Sequence, residues 1–245
     1  MHDKNKIHPT AYIEDSVSIG SDNVIGPYAV IVGNVTIGNG NWIGAHTTIG
    51  SPAQFSTEKF ELNGEPASGI RIGNWNVFRE YCSVHQPSRF QTVVENECYL
   101  MAYVNVSHDT TVRERVILSS NVQMGGFVEI GAGANLGLSA ILHQFTTVGA
   151  YAMVGMGAVL NRDIAPFVKC AGNPVRFLGV NTIGLKRNGF TDDEITEVGE
   201  WLTSGKRASS ARIELIINRF SERSAETHRP TMPCTERRKA IVNNG

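Results

Sequence analysis

Four residues of this 245-residue chain could do chemistry together if the fold stacked them: His108, Gly126, His143 and Gln144. An unperturbed imidazole has a pKa near 6.5, so His108 can accept a proton near neutral pH. A positioned base of that kind accelerates proton removal by about 10²–10⁴-fold. Spacing is what suggests that the four meet. His108 and Gly126 are eighteen residues apart, as are Gly126 and Gln144, and Ser107, Gly125 and His143 repeat the interval one position earlier. The plain alternative for His108 is a surface histidine at a turn corner, but partners at the repeat interval favour catalysis. His85 and His143 read equally well as ligand contacts or as interface hydrogen bonders. His46 reads as a corner residue without partners.

The elements that must position these side chains follow from a six-residue period. Apolar residues occupy every sixth position from Val94 to Leu160, and isoleucine alone does so from Ile7 to Ile49. This is a hexapeptide repeat, the signature of a parallel β-helix. Each hexapeptide gives a short strand and a turn, with the aliphatic residue inward and Gly, Asn or Asp expected at the tight corner. Three hexapeptides make one triangular coil, so residues eighteen apart stack at the strand spacing of about 4.8 Å. Each coil is stabilised by its neighbours.

The period breaks twice. Seventeen extra residues separate Ile49 from Ile72, which predicts a loop at 51–70, and four extra residues predict a second at 86–91. The β-helix is expected over 1–165, a connecting segment with Pro166 and Ala171-Gly172-Asn173-Pro174 over 166–190, and a helical C-terminal domain with a polar tail over 191–245. Thr191 and Glu194 form a capping-box pattern for a helix over about 191–203. Ile213, Ile216, Ile217 and Phe220 predict a second helix over about 207–222. The polar stretch 223–245 is expected to be poorly ordered or loosely docked.

Composition narrows the function classes. A formal net charge of −1 argues against a nucleic-acid or anionic-membrane partner. No apolar run approaches the roughly 18 residues that span a bilayer. Met1–Lys6 lacks the apolar core of a secretory signal, and a cytoplasmic location is expected. Cys82, Cys98, Cys170 and Cys234 show neither CxxC pairing nor metal-ligand spacing, which suits reduced thiols and no metal. Flat outer faces, with Met124, Met153 and Met156 expected to point outward, favour a homotrimer around a threefold axis.

Asn105-Val-Ser-His108-Asp109, Leu142-His-Gln-Phe145, Gly172-Asn-Pro174 and Gly179-Val-Asn-Thr-Ile-Gly-Leu-Lys-Arg-Asn-Gly-Phe190 together resemble the UDP-N-acetylglucosamine O-acyltransferase family, over about residues 7–220. Ile7-His-Pro-Thr-Ala11 and Gly64-Glu-Pro66 are also similar to it. The resemblance implies an all-β, left-handed parallel β-helix with a small α-helical C-terminal domain. It implies transfer of an acyl chain from acyl-carrier protein to a hydroxyl of a UDP-sugar, with no cofactor, because the thioester donor is already activated. By the same resemblance, His108 is the general base, Asp109 orients or polarises its imidazole, and the Gly126 N–H stabilises the oxyanion. His143, Gln144 and His85 match residues lining the substrate cleft, and Asn181 and Arg187 match positions near the nucleotide and carrier sites. Met156, with Met153, sits where the family sets its acyl-chain ruler, which implies a short or medium chain.

The chain departs from the family pattern on the acceptor side. Asn105 and Phe127 stand where histidines are usual, Ile183 where a Glu is common, and Asn188 where a second Arg is common. Gln54-Phe55 follows Pro52-Ala53 where an Asp-bearing loop is expected. The acceptor pocket around Asn105 is therefore changed while the acyl-transfer residues remain. Two alternatives stay open: an acyl-CoA-dependent sugar O- or N-acyltransferase, and a non-catalytic β-helix scaffold. Lys186, Arg187, Lys206, Arg207 and Arg212 could attract an acidic carrier, or form a solvated basic face.

Overall fold

The computed structural model describes residues 4–54 and 68–234. Most of the expected loop at 51–70 and the tail beyond 234 lie outside the described residues. Short strands recur at each hexapeptide, from Lys6–Ile7 to Val159–Leu160. They wind into three sheets of ten, eight and seven strands, here called the first, second and third faces. Lys6 pairs with Val24 and Tyr12 with Val30, each eighteen positions on. Across the first break Ile37 pairs with Ile72, and across the second Val77 pairs with Tyr99. The strand register thus resumes on the same faces after both interruptions.

The repeated aliphatics fill the interior. Ile31, Ile43, Ile49, Phe78, Leu100 and Leu118 are fully buried, and each such burial stabilises by roughly 1.5–3 kcal/mol. Ile7 is 44% exposed because it closes the open end of the rod. Met124 corrects the sequence expectation. It occupies the inward position of its hexapeptide, pairs with Leu142 and is buried. Met156 is exposed and Met153 half-buried on the outside.

The corners also differ from expectation. Bulky residues, not only Gly, Asn or Asp, take the left-handed conformation: Tyr28, His46, Tyr81 and Tyr103 on one edge and Asp109, Phe127 and Phe145 on another. A left-handed non-glycine residue costs about 1–2 kcal/mol. Stacking offsets part of this, at about 0.5–1.5 kcal/mol per pair. His46 is not partnerless. Its ring stacks between Tyr28 at 5.1 Å and Tyr81 at 4.9 Å.

The rod runs past residue 165. Pro166 and the left-handed Phe167 form another corner, and Val168–Ala171 then pairs in parallel with Met153–Val154. Only Arg176–Val180 reverses direction, pairing antiparallel and ending the first face. Three helices follow: α1 (Thr182–Arg187), α2 (Asp192–Ser204) and α3 (Ala211–Thr227). A capping box between Thr191 and Glu194 starts α2. Helix α3 begins later than its apolar pattern suggests. Glu197 of α2 accepts from the backbone of Ser209 and Ser210, and Glu214 accepts from Ala208, which holds 208–210 as a turn. Phe167, Phe190 and Trp201 pack edge-on and join the helices to the rod.

Beyond α3 the chain is docked as far as it is described. Thr231 bridges Asp163, the Met232 N–H donates to the Asp163 carbonyl, and Met232 is buried. The buried Asp163 carboxylate accepts from Thr147 N at 2.7 Å and Ser224 Oγ at 2.6 Å. Burial pushes this carboxyl above its usual range, against those two hydrogen bonds. A raised carboxyl loses stability as pH rises through its folded value. Asp163→Asn should therefore be neutral or stabilising by up to about 1 kcal/mol at pH 7, because the amide can still accept from Thr147 and donate to Ser224. Asp163→Ala should destabilise by about 2–4 kcal/mol by orphaning both donors. Urea titrations of the two variants check this contrast.

Candidate active site

The site stands on the edge between the second and third faces, where Asn105–Val106 turns into Thr111–Val112. His108 and Asp109 occupy that turn, and both are buried. His108 Nδ1 lies 2.7 Å from Asp109 Oδ2. Asp109 also accepts from Ser88 Oγ at 2.7 Å, from Ser88 N at 3.0 Å and from the N–H groups of Arg89 and Phe90. Its own N–H donates to Thr92 Oγ1 at 2.9 Å. Burial alone would raise this carboxyl, but the hydrogen bonds from His108, Ser88 and Phe90 outweigh it and hold Asp109 well below the usual carboxylate range. An ionised Asp109 accepts from Nδ1–H, which puts the imidazole lone pair on Nε2.

Gly126 lies directly over the ring one coil on. A Cβ built there would overlap His108 Cε1 and Nε2, so only glycine permits this approach. The Gly126 N–H donates to no acceptor among the described residues, while its carbonyl accepts from Phe145 N at 2.9 Å. Phe127 closes the other side, edge-on to His108 at 5.3 Å and stacked on Phe145 at 4.6 Å. Phe90 completes this apolar wall against Phe127. A base, a bare N–H and a dry wall on one edge are the parts that acyl-transfer chemistry requires.

His143 and Gln144 are exposed on the next coil of the same edge. His85 and Asn105 lie lower and are engaged within the protein. His85 Nδ1 faces Pro52 O at 3.1 Å and Nε2 faces Asn105 Oδ1 at 2.9 Å. Asn105 Oδ1 also accepts from Ser83 Oγ, and its amide nitrogen donates to Met124 O. Asn181 and Arg187 do not converge with this group. Asn181 caps α1 by accepting from Gly184 N and donates to Tyr151 O at the edge between the third and first faces. Arg187 is exposed at the end of α1, and Met156 lies on the remaining edge, between the first and second faces.

Ser88, Thr92 and Arg229 escape sequence reasoning. The four-residue insertion at 86–91, one coil before Asp109, is the available signal for Ser88. Arg229 carries none. Burial pushes the thiols of Cys82, Cys98 and Cys170 up to about 12, which leaves them unreactive. Among the described residues no group of three or more His, Cys, Asp or Glu is placed to hold a metal. No described helix is long and apolar enough to cross a membrane.

Fold and site together define a hexapeptide-repeat β-helix protein. Residues 16–51 match the bacterial transferase hexapeptide family, and residues 163–227 match the second domain of UDP-N-acetylglucosamine O-acyltransferase. The acyl-[acyl-carrier-protein]–UDP-N-acetylglucosamine O-acyltransferase of Burkholderia lata is 38% identical over 142 residues, which cover 57% of this chain and 54% of that protein. The Burkholderia multivorans protein of the same name is 44% identical over the same extent. The matched stretch thus spans about half the length of these relatives. Solved structures match over nearly the whole chain. The UDP-N-acetylglucosamine acyltransferase of Bacteroides fragilis is 27% identical, with a TM-score of 0.74 over 95% of this chain and 99% of that one. The Moraxella catarrhalis enzyme is also 27% identical, with a TM-score of 0.74 over 88% and 96%. In sequence and in fold the chain is similar to UDP-N-acetylglucosamine O-acyltransferases.

Proposed function

We propose that this chain is an acyltransferase that moves a 3-hydroxyacyl group from acyl-carrier protein to a hydroxyl of UDP-N-acetylglucosamine or a related UDP-sugar. One observation carries the reading: the ionised, buried Asp109 holds His108 against Gly126, whose N–H donates to no acceptor among the described residues. His108 Nε2 takes the proton of the sugar hydroxyl as its oxygen attacks the thioester carbonyl. A C–O bond forms, and the charge that develops on the carbonyl oxygen is met by the Gly126 N–H. Collapse of the intermediate breaks the C–S bond, and the proton on Nε2 passes to the departing thiolate. Asp109 stabilises the imidazolium in between, and the phenylalanine wall keeps water from the thioester.

The three edges carry different parts of the expected site. His108 lies on one, Asn181 and Arg187 near the second, and Met156 on the third. A homotrimer that sets the His108 edge of one protomer against a neighbour would bring these sets together. Sedimentation equilibrium at three times the monomer mass is the expected result. Within such a trimer the exposed Met156 would fill the end of the acyl groove. Met156→Gly should then shift the preferred donor by about four carbons or more toward longer chains, each buried CH₂ contributing about 0.8 kcal/mol. An unchanged preference across C4–C16 carrier thioesters would reduce Met156 to packing.

The test of the function itself is acyl transfer from a mixed C4–C16 3-hydroxyacyl-carrier pool to UDP-N-acetylglucosamine, read by mass spectrometry. A product heavier than the sugar nucleotide by one acyl group is expected. No product with any donor, and none when acyl-CoA replaces the carrier, would overturn the assignment.

A further inference from the structure

The C-terminal strap brings a cation to the catalytic edge that the repeat does not supply. Asp163 anchors the strap at residues 230–232, and Arg229 just before them reaches across to the rod. Its Nη1 donates to Asn161 O at 3.2 Å, and its Nη2 meets His143 Nδ1. His143 and Asn161 are eighteen residues apart and continue the Ser107–Gly125 column beside His108 and Gly126. Arg229 therefore stands one to two coils, about 5–10 Å, above the oxyanion position.

Its electrostatics differ from those of its neighbour. Arg223 of α3 also touches this edge, donating to Phe127 O at 3.2 Å, but its charge is paired with Glu129 and Glu226. Arg229 forms no ion pair among the described residues. Asp163, which feels its charge, is committed to Thr147 and Ser224. A guanidinium can only donate, so His143 Nδ1 accepts and the ring proton sits on Nε2. The longer contact of Nδ1 with Gln144 O, 3.2 Å, needs the opposite tautomer and yields to the arginine. The edge thus presents the remaining Arg229 donors and a His143 Nε2–H side by side.

We infer that Arg229, with His143, binds a phosphate group of a substrate seated in this cleft. The inference rests on the acyl-transfer reading, in which both substrates carry such groups: the diphosphate of the nucleotide sugar and the phosphodiester of the carrier's pantetheine arm. A planar guanidinium suits either through paired N–H···O contacts.

The test uses the full chain and needs no turnover. Binding of UDP-N-acetylglucosamine and of free phosphopantetheine is measured by calorimetry on wild type, Arg229→Gln and Arg229→Lys. One probe should lose about tenfold in affinity in Arg229→Gln and about two- to threefold in Arg229→Lys. Loss with the sugar nucleotide assigns the diphosphate, and loss with phosphopantetheine assigns the carrier arm. Affinities of both probes within about twofold of wild type in Arg229→Gln, or no binding of either probe to wild type, would overturn the inference. The acyl-transfer assay reports separately on the reading beneath it: turnover with unchanged probe affinities leaves the reaction standing and removes Arg229 from it.

Discussion

Replacing His108 with alanine is expected to lower acyl transfer about 10²–10⁴-fold while the protein stays folded and binds its substrates. The ring hydrogen-bonds Asp109 and packs against Gly126 and Phe127. Without it, Asp109 keeps four donors from residues 88–90, so no buried carboxylate is stranded. The loss should therefore fall on kcat, with KM for both substrates within about threefold. A variant with more than a tenth of wild-type kcat would remove His108 from the chemistry and favour a scaffold.

Asp109→Asn should be worse, because it damages both chemistry and fold. All groups facing the Asp109 carboxylate are donors: Nδ1–H of His108, the Ser88 hydroxyl and three backbone N–H groups. An amide in either orientation sets an NH₂ against them. With NH₂ toward His108, the imidazole must accept at Nδ1 and carry its proton on Nε2, where it can no longer act as base. Activity should fall by about 10³–10⁴-fold. With NH₂ toward Arg89 and Phe90, the loop at 88–90 loses its anchor, and stability should drop by about 3–5 kcal/mol. The pH dependence has a definite sign. Asp109 is depressed in the folded state, so its contribution is fully present above the unfolded carboxyl value near 3.9 and fades as pH falls toward the folded one. The stability gap between wild type and variant should be flat from pH 5 to 8 and narrow by about 1 kcal/mol by pH 3. A gap as wide at pH 3 as at pH 7 would contradict the ionised pair.

Much of this arrangement was legible because the repeat converts sequence distance into position. Eighteen residues is one coil, so His108 over Gly126 follows by counting, and the buried aliphatics follow from their sixth-place spacing. What the period cannot carry was missed. Asp109 organises backbone N–H groups from a loop about twenty residues earlier, and N–H groups have no side-chain signature. The aromatic corners contradict single-residue preferences, since Tyr, Phe and His tolerate a left-handed backbone only because the next coil supplies a stacking partner. His46 looked partnerless for that reason. Met124 was assigned outward from its type, although its place in the repeat puts it inward. Arg229 lies beyond the last coil, where no interval predicts which edge the chain will revisit.

The two interruptions show how the rod tolerates change. Seventeen residues at one point and four at another leave every later strand on its own face, because each insertion returns to the coil it left. Lengths added within the winding itself would behave differently. Eighteen residues inserted between Gly126 and Asp163 would lift the strap by one step of about 4.8 Å with every side chain still facing as before. Six would turn everything beyond the insertion through a third of a revolution and carry Arg229 to another edge. The molecule is graduated like a screw. Its catalytic height and its catalytic bearing can be set independently, the first by whole turns and the second by fractions of one.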